Sequence, residues 1–203
     1  MELILIRHGL PERSAVTDDP PLSASGLDQA RRVASALTRD RIDGVYSSPM
    51  TRAMQTAEPY AAMAGHVIQA DGGIVEFDRG SGAYVPLEEL KRDDYPAWKA
   101  FVERGQDPDI GAFQKTVVTS LEEIVGQNSG KTVAVFCHGG VINVWTAHVL
   151  GMAPRLFFEP GYTSVHRYLC ARSGERNLLS LNDMAHLREA VRRSASSYER
   201  TGE

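Results

Sequence analysis

A chain of 203 residues with 42% hydrophobic and 24% charged side chains has the balance of an ordinary globular domain, with room for one inserted cap. Its formal net charge of -4 excludes a broad basic surface for nucleic acid, so any anion site must be a local cluster of cations. No apolar run reaches the roughly 20 residues of a membrane helix. The amino terminus lacks the pattern of a signal peptide. The two cysteines, Cys137 and Cys170, lie far apart without metal-ligand spacing, which fits a reducing, cytoplasmic setting.

Residues 3–6 are an unbroken Leu/Ile run ending in Arg7, His8 and Gly9. Such a run reads as a strand buried on both faces, of the kind found in parallel sheets covered by helices. Ligands bind outside the carboxyl ends of such strands, where Arg7 and His8 stand. Residues 10–22 carry Pro11, Pro20 and Pro21 and read as a loop. Ser23 then caps a helix with an apolar stripe at Leu27, Ala30, Val33, Ala34 and Leu37. Residues 42–46 predict a second strand, and Ser48 followed by Pro49 predicts the next helix start. Arg52 falls in that helix's first turn. Helical side chains lean toward the amino terminus, which aims Arg52 at the same rim as Arg7 and His8.

Residues 66–70 predict an edge strand. Glu76 follows in an apolar, glycine-flanked stretch, an uncommon place for a merely solvating carboxylate. Residues 83–126 read as helices with polar breaks, their core faces at Trp98, Phe101, Val102, Phe113, Val117, Leu121 and Ile124. This stretch is longer than a plain crossover, and the insertion over about residues 77–126 is read as a cap on the sheet rim. Residues 131–137 predict another buried strand, ending in His138-Gly139-Gly140 and passing directly into an apolar helix over 141–150. A helix amino terminus beside glycines is a ready anion site. Residues 163–171 and 177–181 alternate with period two and predict two further strands. The domain spans residues 1–187, and residues 188–203 form a polar, partly disordered tail. His66, His148, His166 and His186 are assigned to structural or surface positions.

Two look-alikes drop out. Residues 126–132 resemble a phosphate loop but are one residue short and precede a strand rather than a helix. Cys137 cannot serve a cysteine phosphatase, because Asn143 stands where that chemistry needs an arginine.

The remaining pieces converge. Two strand ends carry Arg7-His8-Gly9 and His138-Gly139, and a helix adds Arg52. Two arginines and two histidines make a pocket suited to a dianionic phosphoryl group, since each guanidinium can donate to two oxygens at once. These segments resemble the histidine phosphatase superfamily, which includes the cofactor-dependent phosphoglycerate mutases. The similarity extends to Pro21-Leu-Ser-Ala-Ser-Gly-Leu-Asp-Gln-Ala30, to Val45-Tyr-Ser-Ser-Pro-Met-Thr-Arg-Ala-Met-Gln-Thr-Ala57 and to Leu181-Asn-Asp-Met-Ala-His-Leu187. It implies an α/β three-layer sandwich with a mainly parallel sheet and one antiparallel strand. It also implies roles. His8 would be the nucleophile, and Arg7, Arg52 and His138 would hold the phosphoryl oxygens. Glu76 would be the proton donor, with Asp78 as the alternative.

Gly139, Ser14 and Ser23 complete the expected phosphate contacts. No metal and no cofactor is required, and the partner is a small phosphorylated substrate rather than nucleic acid or membrane. Oligomeric state stays open. The mutases follow Arg-His-Gly with Glu-Ser-x-x-Asn, whereas here Leu10 replaces the acid and Ser14 the Asn. The expectation is therefore a phosphomonoesterase, with a mutase as the alternative and a non-catalytic phospho-ligand module as a weaker one.

Overall fold

The computed structural model describes residues 1–77, 82–104 and 109–188. The tail expected to be disordered falls almost wholly outside these residues, as do Asp78 and Arg79. In chain order the elements are β1 (Glu2–Arg7), α1 (Ala24–Leu37), β2 (Gly44–Ser47), α2 (Thr51–Ala64) and β3 (Ile68–Ala70). A 3-10 turn (Gly72–Ile74) precedes α3 (Leu87–Asp93), α4 (Tyr95–Arg104) and α5 (Asp109–Gln127). The chain continues through β4 (Thr132–Cys137), α6 (Gly139–Val149), β5 (Val165–Cys170) and β6 (Arg176–Asp183).

The strands form one six-stranded sheet in the order β3-β2-β4-β1-β5-β6. The β1–β4, β2–β4 and β2–β3 pairs are parallel, and β5 is antiparallel to both of its neighbours. One strand therefore runs against the rest, as expected. The apolar runs are buried on both faces because helices cover both sides. Ile4, Ile6 and Ala134 pack with Val33, Ala34 and Leu37 of α1 and Ala57 and Tyr60 of α2. Leu3, Leu5, Val133 and Val135 pack on the other side with Val117, Leu121 and Ile124 of α5 and Val141, Ile142 and Trp145 of α6. Each fully buried Leu or Ile contributes about 1.5–3 kcal/mol, so the central strands are the rigid part of the molecule.

Register brings the useful ends level. Arg7 lies opposite Cys137, and Ser47 opposite Phe136. His8, His138 and Ser48 are thus the first residues past three adjacent strand ends.

Several local expectations need correction. The second helix begins at Thr51, not Pro49, and its N-cap Met50 makes no side-chain cap bond. Ser48 is still held by the sheet through its N–H to Phe136 O, 2.9 Å. The cap comes instead from the 10–22 loop, where Asp19 accepts from Thr51 N at 2.8 Å and Thr51 Oγ1 at 2.9 Å. Leu27 is 40% exposed and leaves the α1 stripe, while its neighbour Gly26 is buried. Trp98 is half-buried, with the Lys91 ammonium 4.7 Å from its ring. The side chains of Phe101 and Val102 lie outside the described residues. The strand expected from residue 163 begins at Val165, because Thr163 has a left-handed backbone at φ 57. Both cysteines are free and buried, Cys137 fully so at the strand end, as expected.

Candidate active site

His8 leaves the end of β1 with its ring oriented by one bond. Nδ1 is 2.7 Å from the carbonyl oxygen of Gly9, a pure acceptor, so Nδ1 carries the proton. Nε2 is then a bare lone pair, and it accepts from Arg52 Nε at 3.3 Å. Burial is the largest influence on His8, followed by the charges of Arg52, His138 and Arg7, and together they hold its pKa well below 6.5. The imidazole is neutral at physiological pH.

Arg52 is fully buried in the first turn of α2. Its Nη1 donates to Asp18 O at 2.9 Å and lies 3.7 Å from the half-exposed Asp19 carboxylate. Its guanidinium sits 4.9 Å from the Tyr84 ring. Arg7 donates through Nη1 to Pro160 O and lies 4.0 Å over the Tyr162 ring. Arg7 Nη1 and Arg52 Nη1 each donate to a backbone carbonyl, while Arg52 Nε is given to His8 and the Asp19 carboxylate stands beside Arg52 Nη1. Two buried cations arranged this way favour an incoming anion.

His138 stands past the end of β4 as the N-cap of α6, with its ring centroid 5.1 Å from that of His8. Burial lowers its pKa first, and Arg52 and Arg7 add to this. Its Nε2 is 2.9 Å from Ser48 Oγ. Ser48 Oγ already accepts from Met50 N at 3.3 Å and has one proton to give, which it can donate to Nε2. With Ser48 as the donor the imidazole proton is on Nδ1, a buried atom without a hydrogen-bond partner among the described residues. A buried donor left unsatisfied costs about 1–3 kcal/mol, and such a group calls for an explanation such as a ligand oxygen.

Glu76 lies in the loop after the 3-10 turn. Its Oε1 accepts from Phe77 N at 2.8 Å and its Oε2 from Gly140 N at 3.2 Å. A Cβ on Gly140 would collide with Glu76 Oε1, so the glycine is what admits the carboxylate. The α6 amino terminus was expected to offer open N–H groups for phosphate. The Gly140 N–H is given to Glu76 instead, while Gly139 opens the helix beside Arg7.

Five expected residues, Arg7, His8, Arg52, Glu76 and His138, thus gather around the β1 and β4 ends. Ser14 and Ser23 are engaged elsewhere. Ser14 Oγ accepts from Val16 N and Thr17 N, and Ser23 Oγ caps α1 and donates to Leu10 O. Asp78 lies outside the described residues. Among the described residues, no three His, Cys, Asp or Glu side chains gather as a metal-binding group.

Other contributors were not foreseen. Ser48 was read only as a helix cap. Thr56 receives Gly9 N at 3.0 Å and donates to Arg52 O at 2.7 Å. Its i+4 spacing from Arg52 was the available signal. Tyr84 reaches the site because residues 14 and 84 pair across the sequence, and Tyr162 because its loop folds beneath Arg7; neither has a local signature. Asn143 anchors that loop to α6, accepting from Phe157 N at 2.8 Å and donating to Phe158 O at 3.0 Å.

The profile of the histidine phosphatase superfamily, branch 1, matches residues 3–184. Phosphoserine phosphatase 1 of Hydrogenobacter thermophilus is 28% identical, with 93% of this chain and 95% of that protein covered. Phosphoglycerate mutase-like protein 4 of Arabidopsis thaliana is 30% identical over 70% of this chain and 67% of its own length. A mutant phosphoserine phosphatase from Entamoeba histolytica, solved with phosphoserine, superposes with a TM-score of 0.74 at 28% identity, covering 92% of this chain and 98% of that one. The chain belongs to the histidine phosphatase superfamily, and its activity is that of a phosphatase. Among the described residues no helix is long and apolar enough to cross a membrane.

Proposed function

We propose that this chain hydrolyses small phosphomonoesters without a metal, through a phosphohistidine formed on His8 Nε2. The observation that carries the reading is the pairing of a bare His8 Nε2 with a buried guanidinium 3.3 Å away. A nucleophile needs that lone pair, and the substrate's phosphoryl oxygens need that cation.

Arg7, Arg52 and His138 Nδ1–H donate to the phosphoryl oxygens, which take the place of backbone carbonyls on the arginines and satisfy the His138 donor. The His8 Nε2 lone pair then forms a bond to phosphorus as the ester P–O bond breaks. Glu76 gives its proton to the departing oxygen, which leaves as an alcohol. His8 keeps Nδ1–H on Gly9 O while Nε2 carries the phosphoryl group. In the second half, water attacks phosphorus and passes its proton to the Glu76 carboxylate. The N–P electrons return to Nε2 and inorganic phosphate departs. Two arginines do the charge work that a metal does in other phosphoryl-transfer sites.

Residues 1–187 act as one unit, and the insertion over about 77–126 is part crossover, through α5 on the sheet face, and part cap over the pocket. The relatives' names make phosphoserine and phosphoglycerate the first esters to try. Free, buried cysteines support a reducing cytoplasmic setting. The test is hydrolysis of p-nitrophenyl phosphate in EDTA by wild type and His8→Ala. Turnover should survive the chelator and fall more than about 10⁴-fold in the variant, as expected for a lost nucleophile. Loss of turnover in EDTA, or its persistence in His8→Ala, contradicts the reading. Interconversion of phosphoglycerates with a bisphosphate primer, outpacing hydrolysis, would point to the mutase instead.

A further inference from the structure

The segment Leu181-Asn-Asp-Met-Ala-His-Leu187 has no part in the chemistry above, yet its bonds lead to the site. Residues 160–164 form a strap beneath Arg7 and His8. Pro160 O accepts from Arg7 Nη1, and Ser164 O accepts from Arg7 N at 3.2 Å. Thr163 N donates to His8 O at 3.2 Å, and the Tyr162 ring lies against both Arg7 and His8. The strap is not relaxed. Thr163 is fully buried with φ 57, an outlier for a β-branched residue that persists only where its surroundings over-determine it.

Asn182 and His186 supply that restraint. Asn182 Oδ1 accepts from Gly161 N at 2.7 Å, and Asn182 N donates to His166 Nδ1 at 3.3 Å. His166 therefore carries its proton on Nε2 and donates to Ser164 Oγ at 2.8 Å. Asn182 is itself left-handed, at φ 55. Thr163 Oγ1 gives its proton to Tyr162 O at 2.7 Å, so His186 Nε2, 2.9 Å away, is the donor to Thr163 Oγ1. One side chain thus grips the strap at Gly161 and the other at Thr163.

We propose that Asn182 and His186 are positioning residues for phosphoryl transfer, holding the strap that sets Arg7 and the His8 backbone against the phosphate pocket. This rests on the phosphatase site proposed above. Asn182→Gly separates the roles, because it keeps the left-handed backbone and sheds the Oδ1 acceptor. Asn182→Asp keeps the acceptor and tolerates the same backbone.

The experiment measures kcat and KM for p-nitrophenyl phosphate, Kd for inorganic phosphate by calorimetry, and Tm. Asn182→Gly and His186→Ala should each lower kcat/KM about three- to tenfold, the weight of one hydrogen bond, and weaken phosphate binding in parallel. Tm should stay close to wild type, and Asn182→Asp should restore both readouts. Wild-type kcat/KM and Kd in both variants, or a loss that Asn182→Asp does not restore, overturns the proposal. If Asn182→Gly fails to fold, His186→Ala decides. If wild type binds phosphate but hydrolyses nothing, the phosphatase reading fails alone and the phosphate Kd still judges the strap. If wild type binds no phosphate, both fall.

Discussion

The two sides of the pocket are built differently. His8, His138 and Ser48 follow the ends of three adjacent strands whose register is locked by a core buried on both faces. Arg7 and Arg52 are held by loops: Asp18, Asp19 and Tyr84 on one side, Pro160 and Tyr162 on the other. In the proposed reaction the nucleophile thus follows directly on one of the most rigid elements, where small misplacement costs most. The cations sit under loops, which can exchange a carbonyl for a phosphoryl oxygen without disturbing the sheet.

Damage should grade with a group's share in the transfer itself: first the proton donor, then the cation, then the serine that only orients His138. Glu76→Gln keeps the planar shape of the carboxyl group but removes the acidic, transferable proton. It should lower kcat by about 10²–10⁴-fold in steady-state assays, least for esters with a good leaving group such as p-nitrophenol. An equal loss for poor and good leaving groups would remove Glu76 from proton transfer. Arg52→Lys retains the charge but loses the planar fork and the Nε contact to His8. A loss of about 10²–10³-fold in kcat is expected, as for one missing oxyanion donor, and a loss under tenfold would show that charge alone suffices. Ser48→Ala frees His138 Nε2 and lets the ring proton choose either nitrogen. Its expected cost is about tenfold in kcat/KM and in phosphate affinity, the weight of one charge-assisted bond.

The last prediction concerns stability. His8 and His138 are held well below 6.5 by burial and the nearby arginines, and His166 is held at about 3 by burial and then Arg7. Below pH 6.5 the unfolded chain takes up these protons and the folded chain does not. The stability these three histidines contribute is therefore complete above 6.5 and is lost as pH falls; for His166 the loss runs down to about 3, at about 1.4 kcal/mol per pH unit. Urea melts of His166→Gln should show a pH slope shallower by one proton. An unchanged slope would mean that His166 is not buried neutral.

The legible part of the site is the part made by local pattern. A Leu/Ile run ending in Arg7-His8, a Val-rich run ending in His138, and the backward lean of a helical Arg52 are each visible without the fold. Ser48 is legible only as a helix cap, because a serine before a proline is so good a cap that nothing local reveals its link to His138. Asp19 took the capping role from across a loop. Tyr84, Pro160 and Tyr162 could not be read, since a backbone carbonyl has no signature and the loop pairings that place them are long-range. The same holds for Thr163, whose left-handed backbone shortened β5 and breaks the ordinary preference of a β-branched residue.

The most direct test is rapid quenching of wild-type enzyme with a phosphomonoester at single-turnover concentrations, followed by peptide mass spectrometry. The account predicts an acid-labile phosphoryl group on the peptide containing His8, formed before inorganic phosphate appears and absent from His8→Ala. Phosphate released with no phosphoenzyme under conditions that trap one, or phosphoryl found on another residue, would contradict it.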